Sequence, residues 1–442
     1  LTPETVFAIG QAAGRRLVEQ GGTPRVCIGR DTRLSGPMLG AALASGFCSA
    51  GVEAVAMGVV PTGAVSWLVR KQGFGLGAVV SASHNPAPDN GIKLIQADGR
   101  KVSADFERWI EEHLHDSFAD RPTGAGVGRL VQARDGVQEY EDWLVSLVPE
   151  RLDGLRVVVD GSNGAAYETG PSVFRRLGAV VETIGTEPDG NNINTGCGAT
   201  KPHAIQEATK AAGADLGVAY DGDADRAVFA DANGRLVNGD WMMALWCAHW
   251  RQHGRLDPAV VVGTVMSNGG FEKWLGDRGV ALARVDVGDK YVSAKLTEID
   301  GKIGGEQSGH IVFPQHGPTG DGLVTALELA RVLKREGKSL AELAAGCDNW
   351  PQVLVNVQVE RKDGWDTAAQ VVEAKAEAEA SLEGRGRINL RASGTQPMLR
   401  VMVEADDEAL RDQAADRVVQ ALLGSQGGKV YSRVDLTHAL GD

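Results

Sequence analysis

Apolar and polar positions along the chain fall into two alternating kinds of block. Short apolar runs bounded by glycine, proline or aspartate predict buried strands, and longer stretches with apolar residues three and four apart predict helices between them. The first series predicts a helix over Thr2 to Gln20, a strand over Arg25 to Gly29, a helix over Gly36 to Gly51 and a strand over Val52 to Val60. Pro61-Thr62-Gly63 breaks the pattern before a helix over Ala64 to Lys71 and a strand over Gly77 to Val80. Alternation of this kind predicts α/β layering around a largely parallel sheet.

The series recurs. RVCIGRDTRLSG (Arg25 to Gly36), RVVVDGSNGAA (Arg156 to Ala166) and AVVVGTVMSNGG (Ala259 to Gly270) each read as buried strand, glycine-containing turn, helix. Each continues into a second strand, over Val52 to Val60, Leu177 to Gly185 and Val280 to Val287. Each then reaches a third strand ending in a polar loop: SASHNP at Ser81 to Pro86, DGDADR at Asp221 to Arg226, and GEQSGH at Gly305 to His310. Ligands of open α/β sheets sit beyond the carboxyl ends of strands, so these loops are where chemistry is expected. After Pro351 the order becomes strand (Val353 to Glu360), helix (Trp365 to Leu382), two strands and a helix (Asp406 to Leu423), and the tail from Gly424 starts as a linker. The fold expected is three repeated mixed α/β domains plus a smaller βαββα C-terminal domain around a central cleft. The boundaries fall at 1–151, 152–256, 257–350 and 351–442.

Composition narrows the partners. A net charge of −13 argues against nucleic acid, whose binding rests on clustered Lys and Arg. At 43% apolar and 23% charged residues the chain is ordinary for a globular protein, and no apolar run approaches the ~20 residues of a membrane span. Its five scattered cysteines suit a reducing cytoplasm rather than a disulfide framework, and no CxxC or His-rich spacing points to zinc.

Several loops carry candidate chemistry. SASHNP presents the Ser83 hydroxyl at a strand end, although Ser83 or Asn85 capping a following helix reads the same residues. In DGDADR, alternation along an extended backbone would put Asp221, Asp223 and Asp225 on one face, where their oxygens suit a hard cation. An EF-hand is excluded because Arg226 and Ala232 stand where its Gly and Glu belong, leaving a solvated acidic turn as the other reading. RASGTQPMLR flanks Ser393, Gly394 and Thr395 with Arg391 and Arg400, groups that hold a phosphate dianion or merely form a β-turn. GEQSGH offers Glu306, Gln307, Ser308 and His310 to a polyol, or is a polar turn. Together, a serine loop, a hard-metal loop, a polyol loop and a phosphate clamp form a set suited to phosphoryl transfer.

SASHNP with the downstream DNGIK, then DGDADR, GEQSGH and RASGTQP, in this order, resemble the α-D-phosphohexomutases over nearly the whole chain. Ala82, VGDKYV at Val287 to Val292, Gln307 and PDGNNINTGCGATKP at Pro188 to Pro202 resemble the members acting on glucosamine phosphates. The resemblance implies interconversion of glucosamine 6-phosphate and glucosamine 1-phosphate, in UDP-N-acetylglucosamine biosynthesis. It implies phosphorylated Ser83 as donor, a sugar 1,6-bisphosphate as intermediate and activator, and Mg²⁺ held by Asp221, Asp223, Asp225 and Ser83. Glu306, Gln307 and Ser308 would bind the sugar, and Arg391, Ser393, Gly394, Thr395 and Arg400 the phosphate that is not reacting. Carboxylates, dication and phosphoserine sum to roughly −3, which Lys93 and Arg226 bring to about −1, so these two are assigned to charge neutralisation. His84, Lys290 and His310 are candidates for proton transfer.

A phosphomannomutase/phosphoglucomutase is the nearest alternative, and its sugar loop usually carries Met where this chain has Gln307. A metal-dependent phosphatase and a non-catalytic phosphosugar-binding protein stand further off. The partner expected is a phosphosugar, with no nucleic acid and no membrane, and a homodimer is compatible with the pattern. The family's usual opening, Gly-Thr-Asp-Gly-x-Arg-Gly, is expected to lie outside the numbered residues, which start at Leu1.

Overall fold

The computed structural model describes residues 1–116, 120–133, 135–393 and 397–437. The strands form four sheets. The first contains β1 (Arg25–Arg30), β2 (Glu53–Val59), β3 (Leu76–Val80), β4 (Ile92–Gln96) and β5 (Leu130–Gln132) in the order 4-3-1-2-5. The second contains β6 (Arg156–Asp160), β7 (Val180–Ile184), β8 (Leu216–Tyr220), β9 (Ala227–Ala230) and β10 (Leu236–Val237) in the order 10-9-8-6-7. The third orders β11 (Val260–Thr264), β12 (Ala281–Val285), β13 (Gly304–Gly305) and β14 (Ile311–Val312) as 12-11-13-14.

The internal repeat is therefore visible in the strand order. In each of the three sheets the repeat's first strand lies between the second and the third, and the third pairs antiparallel with the strand after it. Strands β3 and β8 are buried along their whole length, as expected where helices cover both faces. In the first sheet's layer, the helices Pro3–Glu19 and Gly36–Ser49 approach so closely that a Cβ at Gly46 would stand 2.2 Å from the Phe7 carbonyl oxygen. Gly46→Ala would force those helices apart, exposing neighbours such as Leu43 and Phe47, whose full burial contributes about 1.5–3 kcal/mol each.

The fourth sheet orders β15 (Gln352–Gln358), β16 (Gly386–Ala392), β17 (Met398–Ala405) and β18 (Lys429–Asp435) as 16-17-15-18, all antiparallel. Its Val353, Val355, Leu399, Val401 and Val403 pack on the helices Ala369–Ser381 and Glu408–Gln426. Two expectations change here. The predicted linker at Gly424 is the last turn of a helix, and Gly427 and Gly428, both at positive φ, make the turn into an edge strand that extends βαββα to βαββαβ. The helix expected from Trp365 starts at Ala369, because a turn precedes it in which the Thr367 hydroxyl donates to the Gly364 carbonyl.

The chain groups into two compact units, Leu1–Val265 with Ala283–Ala345, and Met266–Leu282 with Gly346–Asp442. All of SASHNP, DGDADR and GEQSGH lie in the first, and RASGTQP lies in the second.

Candidate active site

Ser83 leaves β3 in a left-handed conformation, φ +50°, which a non-glycine residue adopts only when its surroundings hold it. No helix follows, so the capping reading is not realised. Instead Asn85 N–H donates to the Ala82 carbonyl at 3.1 Å and Asp89 N–H to the Pro86 carbonyl at 3.1 Å, and the chain returns antiparallel along β4. That return places Lys93 in register with Val79, beside the loop.

Arg33, fully buried, is the group that holds the loop's carbonyls. Its guanidinium donates to the carbonyl oxygens of Ser83 at 3.0 Å and Asn85 at 2.8 Å, and also to that of Pro86. Its Nε donates to Asp31 Oδ2 at 2.8 Å. The Ser81 hydroxyl donates to the same Asp31 oxygen at 2.6 Å and accepts the Ser83 N–H at 2.9 Å. Burial pushes the Asp31 carboxyl up, against the hydrogen bonds of Ser81 and Arg33. Asn194 Nδ2 donates to the Ser83 and Asn85 carbonyls at 2.9 and 3.0 Å. The sequence reading gave Arg33, Asp31, Ser81 and Asn194 no role. The signal was GRDTRLSG, where an Arg two residues after an Asp follows a buried strand.

The aspartates converge by a turn and not by strand alternation. Ala224 sits at φ +58°, its N–H donating to the Asp221 carbonyl at 3.0 Å, and this reversal turns the carboxylates together. One oxygen from each of Asp221, Asp223 and Asp225 lies within 4.8 Å of the others, and all three residues are buried. The Ser83 hydroxyl donates to Asp221 Oδ2 at 2.6 Å, and Arg226 N–H to Asp221 Oδ1 at 3.1 Å. Lys93 Nζ donates to Asp223 Oδ2 at 2.6 Å and Asp225 Oδ2 at 2.8 Å, while Thr62, also unforeseen, donates its hydroxyl to Asp223 Oδ2.

Electrostatics divide the cluster. Burial, then the charges of Asp225 and Asp223, push the Asp221 carboxyl well above its ordinary range. Burial works the same way on Asp225, but Lys93, His310 and Arg226 outweigh it and hold that carboxyl far below. Burial also disfavours the Lys93 ammonium, and the two carboxylates overcome it and raise its pKa. Asp223 Oδ1 is a buried oxygen without a hydrogen-bond partner. An all-oxygen set with one orphaned acceptor and one carboxyl forced upward by burial and by its neighbours fits a hard dication such as Mg²⁺.

GEQSGH forms the β13–β14 turn. Gly309 N–H donates to the Glu306 carbonyl at 3.0 Å, and Gly239 N–H to the Gln307 carbonyl at 3.0 Å. The Glu306 carboxylate accepts the Gly288 N–H at 3.0 Å and the Ser308 hydroxyl at 3.4 Å. Gln307 Oε1 and His310 Nε2 are buried without partners. The effect of His310 on Asp225 brings it into the electrostatic environment of the aspartates. His84 Nδ1 lies 3.4 Å from Ser83 Oγ. Lys290 is placed differently: it is exposed, with its ammonium 5.0 Å from the Tyr291 ring centroid.

In the second unit, Arg391 of β16 and Arg400 of β17 stand directly opposite each other, with Asn356 of β15 on the other side of Arg400. Arg400 Nε is buried without a hydrogen-bond partner. Ser393 N–H donates to the Met398 carbonyl at 2.8 Å, and Lys362 Nζ donates to the Ser393 carbonyl. Gly394 and Thr395 lie outside the described residues.

Models of all four phosphoglucomutase/phosphomannomutase domains match the chain: domain I over residues 1–120, domain II over 137–234, domain III over 238–349 and the C-terminal domain over 354–421. A phosphoglucosamine mutase from Desulforamulus reducens is 45% identical over 422 residues, 95% of either chain. Another from Saccharopolyspora erythraea is 47% identical, again over 95% of both. Among solved structures, a phosphoglucomutase/phosphomannomutase family protein from Burkholderia thailandensis superposes with a TM-score of 0.82 at 26% identity, covering 97% of this chain and 95% of that one. An Aspergillus fumigatus N-acetylphosphoglucosamine mutase, solved with GlcNAc-6P and magnesium, shares the fold at 20% identity and a TM-score of 0.64, over 82% of this chain and 92% of that one. The chain belongs to the phosphoglucomutase/phosphomannomutase family.

Proposed function

We infer that the protein is a phosphoglucosamine mutase, an intramolecular phosphotransferase interconverting glucosamine 6-phosphate and glucosamine 1-phosphate through phosphorylated Ser83. The observation that carries this reading is the Ser83 hydroxyl 2.6 Å from Asp221, at the edge of a buried triad of carboxylates. A serine without a base-activated arrangement is a poor nucleophile, but as a phosphoryl donor it needs none. Asp221, Asp223 and Asp225 would hold Mg²⁺, which when bound would supply charge neutralisation for the transferring phosphoryl group.

The chain's own residues then divide the work. Phosphorylated Ser83 gives its phosphoryl group to the open hydroxyl of the bound phosphosugar: the Oγ–P bond breaks, a bond from phosphorus to the sugar oxygen forms, the sugar hydroxyl proton passes to a base, and the departing Ser83 Oγ takes up a proton to become the hydroxyl that donates to Asp221. His310, with Nε2 buried and unpartnered, is the assigned base. His84 stays beside Ser83 Oγ, and exposed Lys290 is the weaker candidate for the proton. The sugar 1,6-bisphosphate reorients, and Ser83 Oγ recovers the other phosphoryl group. Lys93 and Arg226 offset the charge, Glu306, Gln307 and Ser308 hold the sugar, and Arg391, Ser393, Gly394, Thr395 and Arg400 grip the distal phosphate. In this reading segments 1–151, 152–256, 257–350 and 351–442 supply the serine, metal, sugar and phosphate loops. A cytoplasmic location goes with such a substrate, and among the described residues no helix is long and apolar enough to cross a membrane.

Turnover of glucosamine 1-phosphate, glucose 1-phosphate and mannose 1-phosphate by the purified protein tests the assignment. The highest kcat/KM is expected for glucosamine 1-phosphate, and a large preference for either neutral sugar would contradict it.

A further inference from the structure

The helices Gly239–Gln252 and Gly322–Glu336 pack against each other within the first unit, and their N-terminal ends reach two different active-site loops. Gly239 N–H donates to the Gln307 carbonyl at 3.0 Å, and Gly322 N–H to the Ala224 carbonyl at 3.0 Å. Midway, Trp246 Nε1 donates to Glu328 Oε2 at 2.9 Å. At the far end, where each helix presents its negative pole, stand His249 and His253 of one helix and Glu336 of the other.

Each of these three residues offers a ligand atom, and those atoms lie within 4.8 Å of one another. His249 and His253 are four residues apart, hence on one face, with ring centroids 4.4 Å apart. A hydrogen bond to the backbone fixes the tautomer of His253. His253 Nδ1 is 2.7 Å from the His249 carbonyl oxygen, which can only accept, so Nδ1 carries the proton and Nε2 the lone pair. His249 Nδ1 donates to Glu336 Oε1 at 2.6 Å, so an ion that takes these two atoms as ligands displaces the proton between them. Orientation of a histidine through its second nitrogen by a carbonyl or carboxylate is the usual support of a metal-binding imidazole.

Charge agrees. Of the cations near Glu336 in the chain, Lys334 Nζ donates to the Asp153 carbonyl and Arg335 to Glu150. Two neutral imidazoles and a carboxylate suit a borderline first-row ion, unlike the oxygen-only triad at Asp221 to Asp225. His249 is buried, while His253 is exposed at the helix end, which leaves a position on an ion open to water.

We propose that His249, His253 and Glu336 form a second metal site, for Zn²⁺ or a similar borderline dication, which clasps the far ends of the two helices that support the sugar and aspartate loops. Helices of 14 and 15 residues place this clasp on the order of 20 Å along the helix axes from the loops, so it acts by bracing and not by touching substrate.

The test is calorimetric titration of Zn²⁺ into the purified full chain in saturating Mg²⁺, which occupies the oxygen triad. Wild type is expected to bind zinc and to gain in thermal midpoint as zinc is added. His253→Ala, an exposed change expected to leave fold and basal activity intact, should weaken this binding by ~10-fold or more, and Glu336→Gln should do the same. Zinc affinity unchanged in both variants, or no zinc binding in wild type, would overturn the proposal.

Discussion

Around Ser83, opposite charges alternate: Asp31 with Arg33, and Lys93 with Asp223 and Asp225, most of them buried. In the second unit, Arg391 and Arg400 face each other across the β16–β17 ladder, a like-charge pair that costs stability unless an anion joins it. The first arrangement pairs its cations within the protein, and at Asp31 and Arg33 it fixes a backbone shape. The second sets two guanidinium groups side by side, which suits the phosphate grip proposed above. One phosphoryl group is to be moved with its donor held rigid, and the other only gripped and released, so the contrast follows the division of labour in the proposed reaction.

The sharpest way to break the comparison is Arg33→Met. Both Arg33 and Asp31 side chains are fully buried, so removing the guanidinium leaves a buried carboxylate and loop carbonyls unmatched. A loss of about 3–5 kcal/mol is expected in chemical denaturation. A loss under ~1 kcal/mol would show that Arg33 is not what holds the serine loop. Lys93→Met is expected to lower kcat by ~10²-fold with a small change in KM, because neutralisation of the transferring group is lost; steady-state kinetics decide it. Arg400→Met gives the smallest effect and the opposite signature. KM should rise ~10-fold with kcat nearly unchanged, and ligand-free stability should stay within ~1 kcal/mol of wild type. A stability loss as large as that of Arg33→Met would erase the distinction between the two regions.

Much of this was legible in sequence, for identifiable reasons. Strands β1, β3, β6 and β8 announce themselves as apolar runs, and the repeat follows from their spacing, which the shared strand order repeats in space. Ser83 and the aspartates were legible because SASHNP and DGDADR concentrate small and acidic residues at strand ends. The manner of their convergence was not, since it depends on the left-handed Ala224, a residue with no propensity for that conformation. Arg33 and Asn194 escaped because their partners are backbone carbonyls 50 or more residues away, which no local pattern encodes. The edge strand β18 was hidden because its exposed positions, Tyr431 among them, lack the alternation of a half-buried strand.

The central claim is that Ser83 is the phosphoryl donor, and mass spectrometry of the intact protein with peptide mapping, after exposure to glucosamine 1,6-bisphosphate, tests it most directly. Phosphate is expected on Ser83, transferable to glucosamine 1-phosphate or glucosamine 6-phosphate, with both the label and turnover lost in Ser83→Ala. Phosphate on another residue, or turnover that survives Ser83→Ala, would contradict the account.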